Sequence, residues 1–197
     1  MSIEQVDQVG TRFGDPGERP QVVLFGPPGA LVSEVAQALA DRLHVDLLDS
    51  DRLIEERTGR PVADILIQDG EAAYRALEHA VAEQSLRRSG VVVALGGGAP
   101  LQETIAERLT QLAGAGAVVA ELGVSVGCAA KRLQLNLGVP TALINPRAQW
   151  MAQQKAREPR YARIRTHLVP TDYIEATEIA RRIARLIDGA EHTDDTD

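Results

Sequence analysis

The first clear pattern in the chain is a run of four apolar residues, Val22–Phe25, which is followed by the sequence GPPG. From Ser33 to Leu43, apolar residues then recur every three or four positions, the spacing of an amphipathic helix. Glycine and proline between two such segments indicate a tight turn. The pattern therefore predicts a strand over residues 21–25, a turn, and a helix over residues 33–43.

Apolar runs and helical periodicities continue to alternate along the chain. Val91–Leu95 is apolar at every position, which is typical of a strand buried on both faces. We predict further strands over 45–48, 117–122 and 167–169, and helices over 51–58, 62–68, 70–88, 101–112, 125–133, 147–165 (interrupted at Pro159) and 174–187. Strands that alternate with helices at this spacing indicate an α/β fold, with three α/β/α layers around a parallel five-stranded sheet.

The two ends of the chain depart from this pattern. Residues 1–20 are polar and rich in glycine and proline, so we interpret them as a flexible extension. Residues 188–197 are acidic and are predicted to form a disordered tail. A chain of 197 residues is long enough for one domain with a sizeable core, which we place at residues 21–187.

Composition and charge argue against several classes of function. Aromatic residues make up 3% of the chain and the net charge is −7, which disfavours binding to nucleic acid. No apolar run approaches the ~20 residues that a membrane-spanning helix needs, and the first residues do not resemble a secretory signal. The single cysteine, Cys128, cannot form an internal disulfide, so we expect a cytoplasmic protein.

The turn after the first strand resembles half of a phosphate-binding loop. A strand, a glycine turn and a helix bring backbone N–H groups and a helix N-terminus toward a phosphate. In the pattern G-x-x-x-x-G-K-[ST], Gly26 takes the first position, Ser33 supplies the hydroxyl, and Gly29 is an additional glycine. Leu31 and Val32 stand in place of the second glycine and the lysine. A simple turn with Ser33 as helix cap is the alternative interpretation.

Two aspartates follow the second predicted strand. Asp49 and Asp51 could both cap the next helix. Alternatively, one carboxylate could reach a Mg²⁺ ion while the other accepts a proton from a hydroxyl group. The histidines and Cys128 show no spacing typical of a metal site, so we assign no metal to them.

Two further groups of residues have alternative interpretations. Arg75 and Glu78 lie three positions apart on a predicted helix and could form a surface ion pair worth under ~1 kcal/mol, or Arg75 could bind a substrate carboxylate. The glycines at 96–98 could form a simple turn or a backbone that a ligand approaches closely. Ser33, the two aspartates and the glycines each follow a predicted strand, and ligands of parallel sheets bind at the carboxyl ends of the strands.

Five segments together resemble the shikimate kinase family: GPPGALVS, LLDSDRLIEERTG, DGEAAYRALE, LGGGA and REPRYARI. The resemblance covers roughly residues 21–187. It implies a P-loop kinase fold with a small lid at about 134–146. It also implies transfer of the ATP γ-phosphoryl group to the 3-hydroxyl of shikimate, a step toward aromatic amino acids, with Mg²⁺ bound to ATP.

The resemblance implies roles for individual residues. On the substrate side it implies that Asp51 is the base that contacts the substrate hydroxyl and that Arg75 and Arg157 bind the substrate carboxylate. Gly97 and Gly98 match the backbone that hydrogen-bonds the substrate, and Glu78 matches a supporting acid. On the nucleotide side it implies that Gly26, Gly29 and Ser33 belong to the phosphate loop and that Arg132 is a basic residue near the adenine. Ser33 and Asp49 match the positions associated with Mg²⁺.

The nucleotide side departs from the family pattern at three positions. Val32 replaces the lysine of the loop, and Val139 replaces an arginine of the lid. Leu31 replaces a glycine at a position where a left-handed backbone would cost a leucine ~1–2 kcal/mol. One hypothesis is a slow kinase in which Arg132 or another arginine compensates, and a variant of it is a kinase for another small hydroxy acid. The other is a pseudokinase that binds shikimate or a related acid and acts through a protein partner.

Overall fold

The structure is a computed structural model that describes residues 22–135 and 145–191. The predicted N-terminal extension, most of the predicted lid with Val139, and residues 192–197 of the predicted tail lie outside the described residues. None of the helices in the described parts of the chain is both long and apolar enough to cross a membrane.

Within the described residues, five strands form one parallel sheet in the order β2-β3-β1-β4-β5. The strands are β1 (Val22–Phe25), β2 (Asp46–Asp49), β3 (Val91–Leu95), β4 (Val118–Gly123) and β5 (His167–Pro170). This confirms the predicted sheet. The continuous apolar sequences of β1 and β3 follow from their place in the middle of the sheet, where both faces are covered.

The helices lie close to their predicted positions. They are α1 (Val32–Leu43), α2 (Ser50–Thr58), α3 (Val62–Gln68), α4 (Gly70–Ser85), α5 (Glu103–Gly114), α6 (Val126–Arg132), α7 (Pro146–Ile164) and α8 (Ala176–Glu191), with a short 3-10 turn at Ala99–Leu101. The helix α8 ends at Glu191, so the boundary of the predicted tail at residue 188 falls inside a helix.

The predicted interruption at Pro159 is wrong, because α7 runs continuously through this residue. Proline removes one backbone hydrogen bond, to the carbonyl four residues earlier. Both Pro159 and Lys155, which carries that carbonyl, are exposed, so water can satisfy the freed oxygen. The buried residues Trp150 and Tyr161 hold the helix on either side of the proline.

Two apolar layers cover the two faces of the sheet. Alternate residues of β1 point in opposite directions: Val22 and Leu24 pack with α1 and α8, and Val23 and Phe25 pack with α5 and α7. The predicted three-layer α/β/α arrangement is therefore confirmed. A smaller cluster joins α2, α3 and α4 at one side of the domain.

The register of the strands brings their carboxyl ends to one edge. Phe25 of β1 lies beside Leu95 of β3, and Asp49 of β2 lies beside Ala94 of the same strand. The loop after β1, the aspartates after β2 and the glycines after β3 therefore lie next to one another, although long segments of chain separate them.

Candidate active site

The loop between β1 and α1 has the backbone conformation that its glycine pattern predicts. Leu31 is left-handed, with φ 62° and ψ 36°, and Gly29 has φ 89°. Leu31 forms the N-cap of α1 without a hydrogen bond from its side chain. The loop thus keeps the expected left-handed turn even though a leucine replaces the glycine, at a cost of ~1–2 kcal/mol. The amide groups at the start of α1 have no capping side chain, which suits an anion.

Neighbouring elements hold this loop in place. A Cβ on Gly26 would lie 2.6 Å from Leu122 O, so no larger residue fits there. Trp150 of α7 donates its Nε1–H to Pro28 O at 3.1 Å. Arg132 of α6 donates through Nη1 to Gly29 O at 2.8 Å. Sequence reasoning assigned no role to Trp150, and only the packing of α7 onto the loop shows it.

The guanidinium of Arg132 is already occupied by protein acceptors. Besides Gly29 O, it donates to the hydroxyl of Thr171 at 3.1 Å and to Thr171 O at 2.6 Å. Arg132 lines the cavity described below, but it holds the phosphate loop rather than extending freely toward a ligand. Its predicted place near an adenine stays a prediction.

Asp49 caps α2, as one of the two interpretations predicts. Its Oδ1 accepts the backbone N–H groups of Asp51 at 3.0 Å and of Arg52 at 3.3 Å. Its Oδ2 is buried and has no hydrogen-bond partner among the described residues. A buried carboxylate oxygen without a partner is costly, so capping leaves one oxygen available for a cation. Capping and cation binding are thus compatible at this residue.

The residue between the aspartates connects two strands. Ser50 is buried, and its Oγ accepts the Gly96 N–H at 2.9 Å. This bond ties the end of β2 to the glycines that follow β3. Sequence reasoning missed Ser50, because a serine between two aspartates looks like another helix-capping residue.

A buried hydrogen-bond network surrounds Asp51. The Tyr74 hydroxyl donates to Asp51 Oδ1 at 2.9 Å and also lies 3.4 Å from Glu78 Oε1. Burial raises the pKa of Asp51, against the opposing effect of the Tyr74 hydrogen bond. Burial likewise raises the pKa of Glu78, while the hydrogen bond from Arg75 opposes the shift. Burial also raises the pKa of Tyr74, so its hydroxyl stays protonated as a donor.

The interpretation of Arg75 and Glu78 as a surface ion pair is wrong. The Glu78 side chain is 0% exposed, and its Oε2 accepts from Arg75 Nη1 at 2.7 Å and from Gln102 Nε2 at 3.2 Å. Glu71 binds the other side of the guanidinium, 3.2 Å from Arg75 Nη2. Because α4 turns one face toward the interior, the pair is buried on the acid side and open to the cavity on the arginine side.

The three glycines after β3 are required by the protein's own packing. A Cβ on Gly98 would lie 1.9 Å from Arg75 Nη1, and one on Gly96 would lie 2.7 Å from Glu78 Oε1. A Cβ on Gly97 would lie 2.6 Å from Gly26 O. The atoms that crowd these glycines belong to the chain itself, and the close approach of a ligand stays a prediction. No ligand is needed to explain the glycines.

Helix α7 brings two more side chains to Gly97. The Tyr161 hydroxyl donates to Gly97 O at 2.5 Å, and its ring packs edge-on against Phe25. Burial raises the pKa of Tyr161 to about 12, so this donor stays protonated at neutral pH. Arg157 Nη1 is buried and has no hydrogen-bond partner among the described residues.

One cavity of about 450 Å³ brings the loop after β1, the aspartates, the glycines after β3 and the arginines together. Its lining includes every site residue that the sequence predicts: Gly26, Gly29, Ser33, Asp49, Asp51, Arg75, Glu78, Gly97, Gly98, Arg132 and Arg157. Tyr74, Val32 and Leu133 also line it. The volume suits small-molecule ligands, and the lining places the glycine loop beside several carboxylates and three arginines.

Comparisons with known protein sequences agree with this arrangement. The family model described as shikimate kinase matches residues 28–188. The chain is 44% identical over 172 residues to a shikimate kinase of Thermobifida fusca, covering 87% of this chain and 97% of the relative. It is 38% identical over 168 residues to a shikimate kinase of Salinispora arenicola, covering 85% of this chain and 98% of the relative.

Solved structures give the same result. Shikimate kinase from Acinetobacter baumannii in complex with shikimate matches with a TM-score of 0.78 and 29% identity, over 89% of this chain and 97% of that chain. A gluconokinase from Sinorhizobium meliloti shares the fold, with a TM-score of 0.59 and 22% identity over 88% of this chain and 96% of that chain. The match to the family model and the identity over most of the chain show that this protein belongs to the shikimate kinase family.

Proposed function

We propose that this protein transfers the γ-phosphoryl group of ATP to the 3-hydroxyl of shikimate. The observation that carries the proposal is the single cavity in which the phosphate loop faces Asp51, Arg75 and Arg157. Phosphoryl transfer depends mainly on positioning and on charge stabilisation, and this cavity can hold both reactants side by side.

The substrate side offers two guanidinium groups to a carboxylate. Arg75 is held by Glu78 and Glu71, so its orientation is set before any ligand binds. Arg157 reaches the cavity from α7. Arginine binds carboxylates through paired, charge-assisted hydrogen bonds, which favours a small organic acid such as shikimate as the ligand.

Asp51 is placed to accept the proton of the reacting hydroxyl. It lies at the start of α2, half-buried, and Tyr74 fixes one of its oxygens. Burial raises the pKa of Asp51, which makes its carboxylate a stronger base toward the reacting hydroxyl. The Tyr74 hydroxyl also lies 3.4 Å from Glu78 Oε1, and Glu78 accepts from Arg75, so we assign Asp51 the role of base and Glu78 the role of support for Arg75.

The nucleotide side fits a Mg²⁺ ion that is bound mainly through ATP. Asp49 Oδ2 is buried without a partner, and the Ser33 hydroxyl lines the same cavity. One carboxylate and one hydroxyl suit Mg²⁺, which keeps several waters and takes its other ligands from phosphates. When bound, the ion would neutralise charge on the phosphoryl oxygens. The left-handed turn at Leu31 and the free amide groups at the start of α1 would hold the phosphates.

The test is a coupled assay with ATP, Mg²⁺ and shikimate. We expect measurable formation of ADP that requires shikimate, at a rate reduced relative to a loop with lysine, because removal of one preorganised donor typically costs ~10²–10³ in rate. Asp51→Asn is the matched control and should lower the activity by ~10²–10⁴. Tight shikimate binding without turnover would contradict the proposal and favour a binding role. Turnover with gluconate but not shikimate would assign another hydroxy acid.

A further inference from the structure

The cavity has lost a positive charge that phosphoryl transfer needs. Its lining contains three arginines, Arg75, Arg132 and Arg157, and no lysine among the described residues. Val32 occupies the first position of α1, where the family has its loop lysine. Any charge that the described lining offers to a terminal phosphate must come from one of these three arginines.

Two of the three guanidinium groups are already used. Arg132 donates through Nη1 and Nη2 to Gly29 O and Thr171. Arg75 donates through Nη1 to Glu78 and through Nη2 to Glu71. Both arginines therefore hold other parts of the site, and each has protein acceptors on both terminal nitrogens.

Arg157 differs because its Nη1 is buried and makes no hydrogen bond of normal geometry among the described residues, although the guanidinium lies close enough to the Tyr161 hydroxyl to oppose the rise in the pKa of that group. Five N–H groups in a fixed fork make an unpaired buried guanidinium nitrogen costly, which indicates that a ligand completes it. A Cβ on Gly97 would lie 3.2 Å from this nitrogen and 2.6 Å from Gly26 O. The space above Gly97 is thus bordered both by this donor of Arg157 and by the first glycine of the phosphate loop.

Helix α7 is attached to the loop at a second point. Trp150 donates to Pro28 O, and Arg157 follows seven residues later, so both lie on one face of the helix. Tyr161, one turn further, binds Gly97 O. These contacts hold Arg157 between the phosphate loop and the glycines on the substrate side.

We propose that Arg157 donates to the terminal phosphate of bound ATP and supplies the positive charge that Val32 cannot. The fork of donors lets one arginine serve a phosphate with one nitrogen and a substrate carboxylate with another. The inference rests on the proposed function only in naming ATP as the ligand. It assigns to one residue a contact with both reactants.

The test compares two nucleotides by calorimetry, with Mg²⁺ and without shikimate. ADP lacks the terminal phosphate, and the non-hydrolysable β,γ-imido analogue of ATP carries it. We expect the parent protein to bind the analogue more tightly than ADP. Arg157→Ala should weaken binding of the analogue at least tenfold and change ADP binding less than twofold, because a charge-assisted hydrogen bond to the terminal phosphate is lost. Arg157→Lys should give an intermediate loss.

Two variants sharpen the result. Arg163→Ala, at an exposed arginine of the same helix, is the matched control and should leave the preference for the analogue unchanged. Val32→Lys in the Arg157→Ala background should restore that preference, because it returns the charge from the loop. An unchanged preference in Arg157→Ala, a parent without preference, or a parent that binds neither nucleotide would overturn the inference. Shikimate turnover, measured separately, decides the proposed function without reference to these affinities.

Discussion

The two sides of the cavity are built from different parts of the chain. The substrate side is a network of side chains, in which Asp51, Tyr74, Arg75 and Glu78 bind one another at 2.7–3.4 Å. The nucleotide side is mainly backbone, in which the left-handed turn at Leu31 exposes amide groups. Side-chain networks lose function when one member changes, whereas a backbone site keeps its shape as long as the chain can adopt the conformation.

This difference explains why the loop keeps its conformation without its lysine. Lys131 and Lys155, the only lysines in the chain, do not line the cavity. The turn at Leu31 is held by Arg132 and Trp150 from neighbouring helices, so a charged side chain is not needed to form it. The geometry of a phosphate site and its charge can therefore change independently.

The largest effect is expected on the side-chain network at Asp51. Asp51→Asn removes the base but keeps an acceptor for Tyr74, so we expect kcat to fall by ~10²–10⁴ with little change in shikimate affinity. Single-turnover kinetics and calorimetry separate the two quantities. A kcat within tenfold of the parent would show that Asp51 is not the base.

On the nucleotide side, a lysine introduced at position 32 should restore the missing positive charge without other changes to the loop. Because Leu31 already has the left-handed conformation, Val32→Lys alone should tighten binding of Mg-ATP about 10- to 100-fold. Adding Leu31→Gly should contribute little more affinity. The single tryptophan, Trp150, contacts the loop, so its fluorescence reports nucleotide binding.

Val32→Met is the matched control for length without charge and should leave the affinity unchanged. If only the variant with both Val32→Lys and Leu31→Gly gains affinity for Mg-ATP, then the left-handed leucine distorts the loop. The nucleotide side would then be as sensitive to a single side chain as the substrate side is.

On the substrate side, the close packing of Gly98 against Arg75 should affect shikimate affinity as much as the charge of Arg75 does. Gly98→Ala places a methyl group against Arg75 Nη1, which Glu78 holds in place. We expect Gly98→Ala to weaken shikimate binding about tenfold, as Arg75→Ala should, because both remove the same oriented guanidinium. Gly127→Ala, where a methyl group meets nothing within 4 Å, is the control. Unchanged shikimate affinity in Gly98→Ala would show that Arg75 does not bind the substrate.

The smallest expected effect is a shift in pH dependence. Burial raises the pKa of Asp51 above its ordinary 3.8, so kcat/KM should fall on acidification through a pKa above that value. The Tyr74 hydrogen bond lowers the pKa of Asp51, so Tyr74→Phe should move the acid limb to higher pH. Tyr173→Phe, at an exposed tyrosine, is the control. An unmoved limb would mean that another group titrates.

The same pKa shift affects folding with a defined sign. The folded state raises the pKa of Asp51 and of Glu78. Between the pKa values of these groups in the unfolded state and their higher pKa values in the folded state, the folded protein therefore binds more protons than the unfolded protein. The contribution of these groups to stability therefore falls as pH rises through that window. Urea unfolding of the parent and of Asp51→Asn at several pH values measures the part that belongs to Asp51.

The sequence by itself determined the elements and the places where chemistry collects. Val91–Leu95 and Val62–Gln68 form the predicted strand and helix with the predicted bounds, because local apolar patterning decides whether a short segment is a strand or a helix. Parallel strands also imply that Ser33, Asp49 and Gly97 meet at one edge.

Only the tertiary structure decided which partners those residues have. Contacts between segments far apart in the chain decide four features of the site. They are the burial of Glu78, the crowding around Gly98, the use of Arg132 to hold the loop and the unpaired nitrogen of Arg157. Periodicity shows which face of α4 or α7 is apolar, but not what lies opposite it. The interaction energy between two charges is small in water and large in a buried network. The roles of these residues therefore depend on their burial, which no local sequence pattern specifies.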